Sequence, residues 1–221
     1  MPNRFDEDSS ALKARLLEMG RLASGMIRST IAALMRRDRS LVREVLEVES
    51  RMDAFQREVD NEVLRLIAVY TPVARNLREL LMATRINGEL ERIGDQAATI
   101  CYTYQNLHLL DEPPVKPLED LPRMAVLAEQ MLHEALHAFV AGSAEESVAV
   151  IQADNEVDRL NDLIFQELLA FMTTDVRQSR RALGLILAAR GFERVADHAV
   201  NIAEDVVFIV RGEDIRHVAC L

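Results

Sequence analysis

Apolar residues recur along most of this chain at alternating steps of four and three. Ile86, Leu90, Ile93, Ala97, Ile100, Tyr104 and Leu107 form one such stripe, and Phe192, Val195, Ala199, Ile202, Val206 and Ile209 form another. A third runs through Val45, Val48, Met52, Phe55, Val59 and Leu66. This is the a/d seam of helices packed side by side. The pattern predicts helices over 10–37, 41–69, 72–108, 119–141, 144–171 and 175–211. Thr71 and Pro72 read as an N-cap and first-turn pair. Ser143-Ala144-Glu145-Glu146 reads as a capping box, Thr174 and Asp175 as the opening of the last helix, and Gly212 as a C-terminal cap. Asp111 to Pro117 carries three prolines and breaks the pattern in two. The longest helices would each span roughly 55 Å, and long helices joined by short turns build antiparallel bundles.

The two halves match. With a shift of 105 positions, Met19, Leu22, Ala23 and Met26 fall on Met124, Leu127, Ala128 and Met131, and Glu49 and Asp53 fall on Asp154 and Asp158. Glu62 and Leu64 fall on Glu167 and Leu169. A shift of 102 then places Leu90, Ile93, Ala97 and Ile100 on Phe192, Val195, Ala199 and Ile202. The expected fold is therefore all-α, with two tandem pseudo-repeat three-helix bundles of spectrin-like antiparallel helices. The first is expected over 10–110 and the second over 117–217.

The repeat also carries chemistry. Glu91-Arg92-Ile93-Gly94-Asp95 is answered by Glu193-Arg194-Val195-Ala196-Asp197. With the stripes at a and d, Glu91/Asp95 and Glu193/Asp197 fall at b and f, away from the seam. Glu49/Asp53 and Asp154/Asp158 fall at e and b, beside it. Like charges at i,i+4 cost roughly 0.2–0.5 kcal/mol per pair in an isolated helix. Cations that prefer oxygen ligands offset that cost, so pairs on neighbouring helices are candidates for multinuclear metal sites on the outside of each bundle. The bland alternative is a solvated acidic face, with Arg92 and Arg194 forming i,i+3 ion pairs to Asp95 and Asp197.

Composition narrows the function. The formal net charge is −10, which repels phosphate backbones and argues against nucleic-acid partners. Hydrophobic residues make up 49% of the chain, enough for a packed core, yet the longest apolar runs are too short to cross a bilayer. Met1 to Ser10 is polar, with no apolar signal segment. Cys101 and Cys220 fit neither a zinc site nor a disulfide framework, so a reducing cytoplasm is expected. Direct membrane insertion is not expected, and any membrane connection would run through a partner.

The segments Leu90 to Asp95 and Phe192 to Glu204, together with Thr71-Pro72-Val73-Ala74-Arg75-Asn76-Leu77-Arg78, resemble the signatures of the PhoU family, accessory proteins of the bacterial phosphate-specific transport system. The resemblance runs from about residue 10 to 217. It implies two tandem three-helix bundles, each with a surface cluster of iron or zinc, or another divalent cation, on E/D-x-x-x-D motifs. Carried over, these are Glu49/Asp53, Glu91/Asp95, Asp154/Asp158 and Glu193/Asp197. It also implies a regulator rather than an enzyme: a homodimer that dampens phosphate uptake and phosphate-starvation signalling by contacting the phosphate ABC transporter and a membrane sensor kinase. Two departures stand out. Where the family signature continues His-Ala-x-Asn-Ile, the first half has Gln96-Ala97-Ala98-Thr99-Ile100, and Asn76 replaces an acid. The first site is accordingly expected to hold metal less firmly than the second.

Competing readings are a carboxylate-bridged metalloenzyme and a metal-buffering protein. Glu134-Ala135-Leu136-His137 matches one Glu-x-x-His element of a di-iron bundle, but its counterpart is Ser29-Thr30-Ile31-Ala32. The chain has no Gly-rich phosphate loop and no nucleophile elbow.

Overall fold

Phe5 and Tyr70 meet edge to face with ring centroids 5.4 Å apart, and that contact anchors the N-terminal part of the first helix. In the computed structural model, which describes residues 4–215, α1 spans Arg4–Arg36, six residues ahead of its expected start. The polar stretch before residue 10 hides Phe5 as an apolar anchor, and Tyr70 Oη donates to Asp8 at 2.9 Å beside it. The remaining helices are α2 (Arg39–Tyr70), α3 (Ala74–Asn106), α4 (Asp120–Ala141), α5 (Ala144–Thr174) and α6 (Ser179–Arg211). A 3₁₀ turn over Val176–Gln178 precedes α6. The described residues contain no strand. The expected end of the second module at 217, and Cys220, lie outside the described residues.

The stripes are the core. Ile86, Leu90, Ile93, Ala97, Ile100 and Tyr104 are buried, as are Phe192, Val195, Ala199, Ile202, Val206 and Ile209. Val48, Phe55 and Leu107 are only partly covered. Each half packs as three mutually contacting helices, and the halves meet through α3 against α6 and α1 against α4. Arg85 pairs with Asp205, and Glu89 with His198. Gly191 abuts Ile100, and Gly184 abuts Leu109. Partner numbers fall as one climbs α3, so α3 and α6 run antiparallel. Among the described residues α2 and α5 take no part in the joint.

Two capping assignments need revision. Thr71 does not open α3. It closes α2 in the left-handed region (φ 43°), with its N–H donating to Ile67 O at 3.0 Å. Proline at 72 disfavours a right-handed helical residue before it, and α3 starts only after the extended Val73. Asp175 caps the 3₁₀ turn by accepting from Arg177 N at 3.0 Å, so α6 starts at Ser179. The Pro-rich break is tied to the core: Leu109 and Leu110 just before it are buried, and Arg181 donates to Pro113 O at 2.9 Å. Ser143 and Gly212 act as expected, with Ser143 Oγ accepting from Glu146 N at 3.2 Å and Gly212 at φ 74°.

Candidate metal centres and the joint between the bundles

The acid pairs of neighbouring helices face each other. Glu49 and Asp53 on α2 lie across a groove from Glu91 and Asp95 on α3. Burial and the charges of Asp53 and Asp95 push the Glu49 carboxyl above its ordinary range. Burial, with Asp95 and Asp53, does the same to Glu91. Asp95 is raised by burial and Asp53. The α5/α6 groove repeats the arrangement more strongly. Burial, together with Asp158, Asp197 and Glu193, pushes Asp154 up to about 7. Burial raises Glu193, against the pull of Arg190 and with the push of Asp197 and Asp158. Asp197, although exposed as a residue, is raised by the partial desolvation of its carboxyl between the helices and by Asp158.

All eight carboxylates lie off the apolar seam, but they are not fully solvated. Asp158 and Asp197 are exposed, whereas Glu49, Asp53, Glu91, Asp95, Asp154 and Glu193 are half-buried. The reason is the groove itself, whose second wall covers side chains that helical phase alone places outside. Asp154 Oδ1 is enclosed with no hydrogen-bond partner. Such an atom costs about 1–3 kcal/mol unless something positive reaches it. Among the described residues no three His, Cys, Asp or Glu side chains stand close enough together to hold an ion as they are. Glu91 and Asp95 are close enough to share a hydrogen bond, and closing all four carboxylates of a groove around a cation requires their side chains to rotate inward. The donor chemistry fits a hard or borderline cation: oxygens only, with a surplus of negative charge and one enclosed atom lacking a donor.

The solvated-face alternative fails in one particular. Arg92 turns backward to Glu89, Nη1 to Oε1 at 2.9 Å, rather than forward to Asp95. Arg190 reaches Glu193 at 3.7 Å.

Glu89 belongs to a second constellation, which helical phase did not single out. His198 Nδ1 and Asn201 Nδ2 of α6 lie 2.8 and 2.9 Å from Glu89 Oε2. Burial disfavours the Glu89 carboxylate, but the hydrogen bonds from His198 and Asn201, with the charges of His198 and Arg92, outweigh it and hold the carboxyl below its ordinary value. The carboxylate is therefore ionised, and His198 Nδ1 donates to it. The legible signal was that Glu89, His198 and Asp205 all occupy g positions, which flank a seam and reach the neighbouring helix.

A model of the PhoU domain matches the chain twice, at residues 16–103 and 121–206. The chain belongs to the PhoU family. A PhoU homologue of Pseudomonas aeruginosa, named as a phosphate-specific transport system accessory protein, is 33% identical over 97% of this chain and 88% of its own length. The Escherichia coli accessory protein PhoU is 30% identical over 97% of this chain and 88% of its own length. The crystal structure of PhoU from Pseudomonas aeruginosa superposes with a TM-score of 0.90 at 31% identity, covering 95% of this chain and all of that one. A Streptococcus pneumoniae PhoU structure shares the fold, with a TM-score of 0.87 at 23% identity over 96% of this chain and 99% of that one.

The geometry reassigns one departure from the PhoU signature. His198 and Asn201 point at Glu89 across the joint, not into the acidic groove. Gln96 and Thr99 stand at the equivalent positions of the first half under the 102-residue shift. The Gln96 side-chain oxygen is buried without a donor. The Glu-x-x-His element also resolves: His137 is exposed and pairs with Glu146 at 2.7 Å.

Proposed function

We propose that this chain is an accessory regulator of phosphate transport that lowers phosphate uptake and phosphate-starvation signalling, working in the cytoplasm as a homodimer against the phosphate ABC transporter and a sensor kinase. Membership of the PhoU family, and the transport role for which its relatives are named, support the first part of this reading. Among the described residues no helix is long and apolar enough to cross a membrane, which is consistent with action through a membrane partner.

The observation that carries the site reading is the enclosed, donor-less Asp154 Oδ1, facing Asp158, Glu193 and Asp197 in a groove repeated in the other half. An iron, zinc or other divalent ion cluster would be held there by Asp154, Asp158, Glu193 and Asp197, and in the first groove by Glu49, Asp53, Glu91 and Asp95. Such ions supply the positive charge that each groove lacks. The protein's own part is to crowd carboxylates from two helices, so that the relative placement of α2 and α3, or of α5 and α6, depends on cation occupancy. That suits a signalling adaptor whose outer helices take no part in the joint. A metalloenzyme of the di-iron kind needs carboxylates and histidines turned inward, and here the apolar stripes occupy that space.

The regulatory reading is tested by deleting the gene and measuring alkaline phosphatase output in phosphate-rich medium. Constitutive output is expected, and repressed output identical to wild type overturns the reading.

A further inference from the structure

The α2/α3 groove holds a buried polar side chain that the carboxylate motifs do not account for. Asn87 lies on α3 one turn before Glu91 and two turns before Asp95, so the three share a face. Asn87 is 0% exposed. Its Nδ2 crosses to α2, donating to Gln56 O at 2.9 Å and to Asp60 Oδ1 at 3.0 Å. Both amide hydrogens are thereby used, and Oδ1 is enclosed with no donor. The partners fix this orientation, because a flipped amide would set its oxygen against Gln56 O and Asp60 Oδ1. An amide carries its oxygen and nitrogen on opposite edges. With the nitrogen edge turned to Gln56 and Asp60, the oxygen edge turns the other way along the groove. α2 and α3 run antiparallel, with Asp60 beside Asn87, Asp53 beside Glu91 and Glu49 beside Asp95, so that way lie Asp53 and Glu91.

The second groove has no counterpart. Asn87 corresponds to Ala189 under the 102-residue shift, and Asp60 to Phe165 under the 105-residue shift. There the enclosed acceptor is Asp154 Oδ1 instead. Each groove thus encloses a donor-less oxygen, an amide in the first and a carboxylate in the second.

Resting on the metal reading above, we propose that Asn87 Oδ1 is a further ligand of the ions held in the first groove, beside Glu49, Asp53, Glu91 and Asp95. A side-chain amide oxygen is an ordinary ligand for hard cations, and it adds no charge to a groove already crowded with carboxylates. An enclosed acceptor without a donor is destabilising, and a cation satisfies it. Asp60 is a positioning residue: by holding the N–H edge of Asn87 it aims the oxygen, as an outer carboxylate aims a metal-bound histidine.

The test isolates the first groove by using the full chain with E193Q/D197N as the parent. Zinc affinity of the metal-stripped protein is measured by competition with a chelating dye, and thermal melts check folding. Asn87→Ala is expected to weaken zinc about tenfold or more, a shift of about 1.4 kcal/mol. Asn87→Asp keeps an oxygen in place but gives up the N–H donors, and is expected to hold zinc within about threefold of the parent. If Asn87 only tied α3 to α2, Asn87→Asp would suffer at least as much as Asn87→Ala, because its carboxylate would face Asp60. A second measurement needs no variant at this position. In protein carrying isotope-labelled asparagine, the slowly exchanging side-chain amide of Asn87 is expected to shift its carbonyl resonance when zinc is added. Equal zinc affinity in the parent and Asn87→Ala overturns the proposal. So does a loss in Asn87→Asp as large as in Asn87→Ala, or a carbonyl resonance that zinc leaves unmoved. A parent that binds no zinc overturns the metal reading as well, whereas zinc binding indifferent to Asn87 overturns this assignment alone.

Discussion

His198 of α6 donates to Glu89 of α3 at 2.8 Å, and the two side chains, 16% and 12% exposed, lock one bundle to the other. Asn201 and Arg92 complete the shell around the carboxylate. Removing His198 leaves a mostly buried charge short of a donor, so His198→Ala is expected to cost about 1–3 kcal/mol in chemical denaturation. The sign of the pH dependence follows from the lowered Glu89 carboxyl: its stabilisation is complete above the ordinary value of 4.5 and is lost as pH falls through the folded-state value below it. Glu89→Gln is expected to flatten the acid limb of the stability curve. An unchanged acid limb in both variants contradicts this role for the pair.

Helix approach at the joint depends on a missing side chain. A Cβ at Gly191 would overlap Ile100 Cγ1 and stand 2.7 Å from Cδ1. Gly191→Ala should therefore destabilise by about 1–3 kcal/mol through overpacking. Gly25, in the middle of α1, is the internal control, since a Cβ there would meet nothing within 4 Å. Gly25→Ala should stabilise by about 0.5–1 kcal/mol through helix propensity alone. Thermal melts of the two variants moving in the same direction would rule out the close-approach explanation.

Metal-stripped protein should respond to pH in the sense opposite to Glu89. Asp154 is raised from 3.8 to about 7, so its neutral form is the one the fold prefers. That contribution is full below about pH 4 and is lost as pH rises through about 7. In chelator-treated protein Asp154→Asn should gain on the order of 1–2 kcal/mol over wild type at pH 8, after allowing for solvent screening, and little at pH 4. Urea midpoints at the two pH values measure this. Equal gains at both would mean that carboxylate crowding is not the source.

Much of the fold was readable from two regularities, the 4-and-3 spacing of apolar residues and the internal repeat at shifts of 105 and 102. The seam from Ile86 to Tyr104 lies where periodicity put it. The helix starts were less legible because they hang on single residues: Phe5 extends α1 through a contact with Tyr70, 65 positions away, and Pro72 turns Thr71 into an end rather than a beginning. At the site, phase placed the eight carboxylates outside the seam but could not show how far the facing helix covers them. The larger gap was the joint. Which helices of the two bundles touch is a tertiary fact, and without it His198 and Asn201 read as neighbours of a cluster rather than partners of Glu89.

Metal content per chain after replacing Glu193 and Asp197 tests the two-groove reading most directly. Purified wild type and E193Q/D197N, loaded with iron or zinc and freed of excess, are compared by elemental analysis, with circular dichroism confirming equal helix content. The α5/α6 groove should empty while the α2/α3 groove keeps its share, so about half of the metal is lost. Metal content equal to wild type in the double variant contradicts the assignment of these carboxylates as ligands.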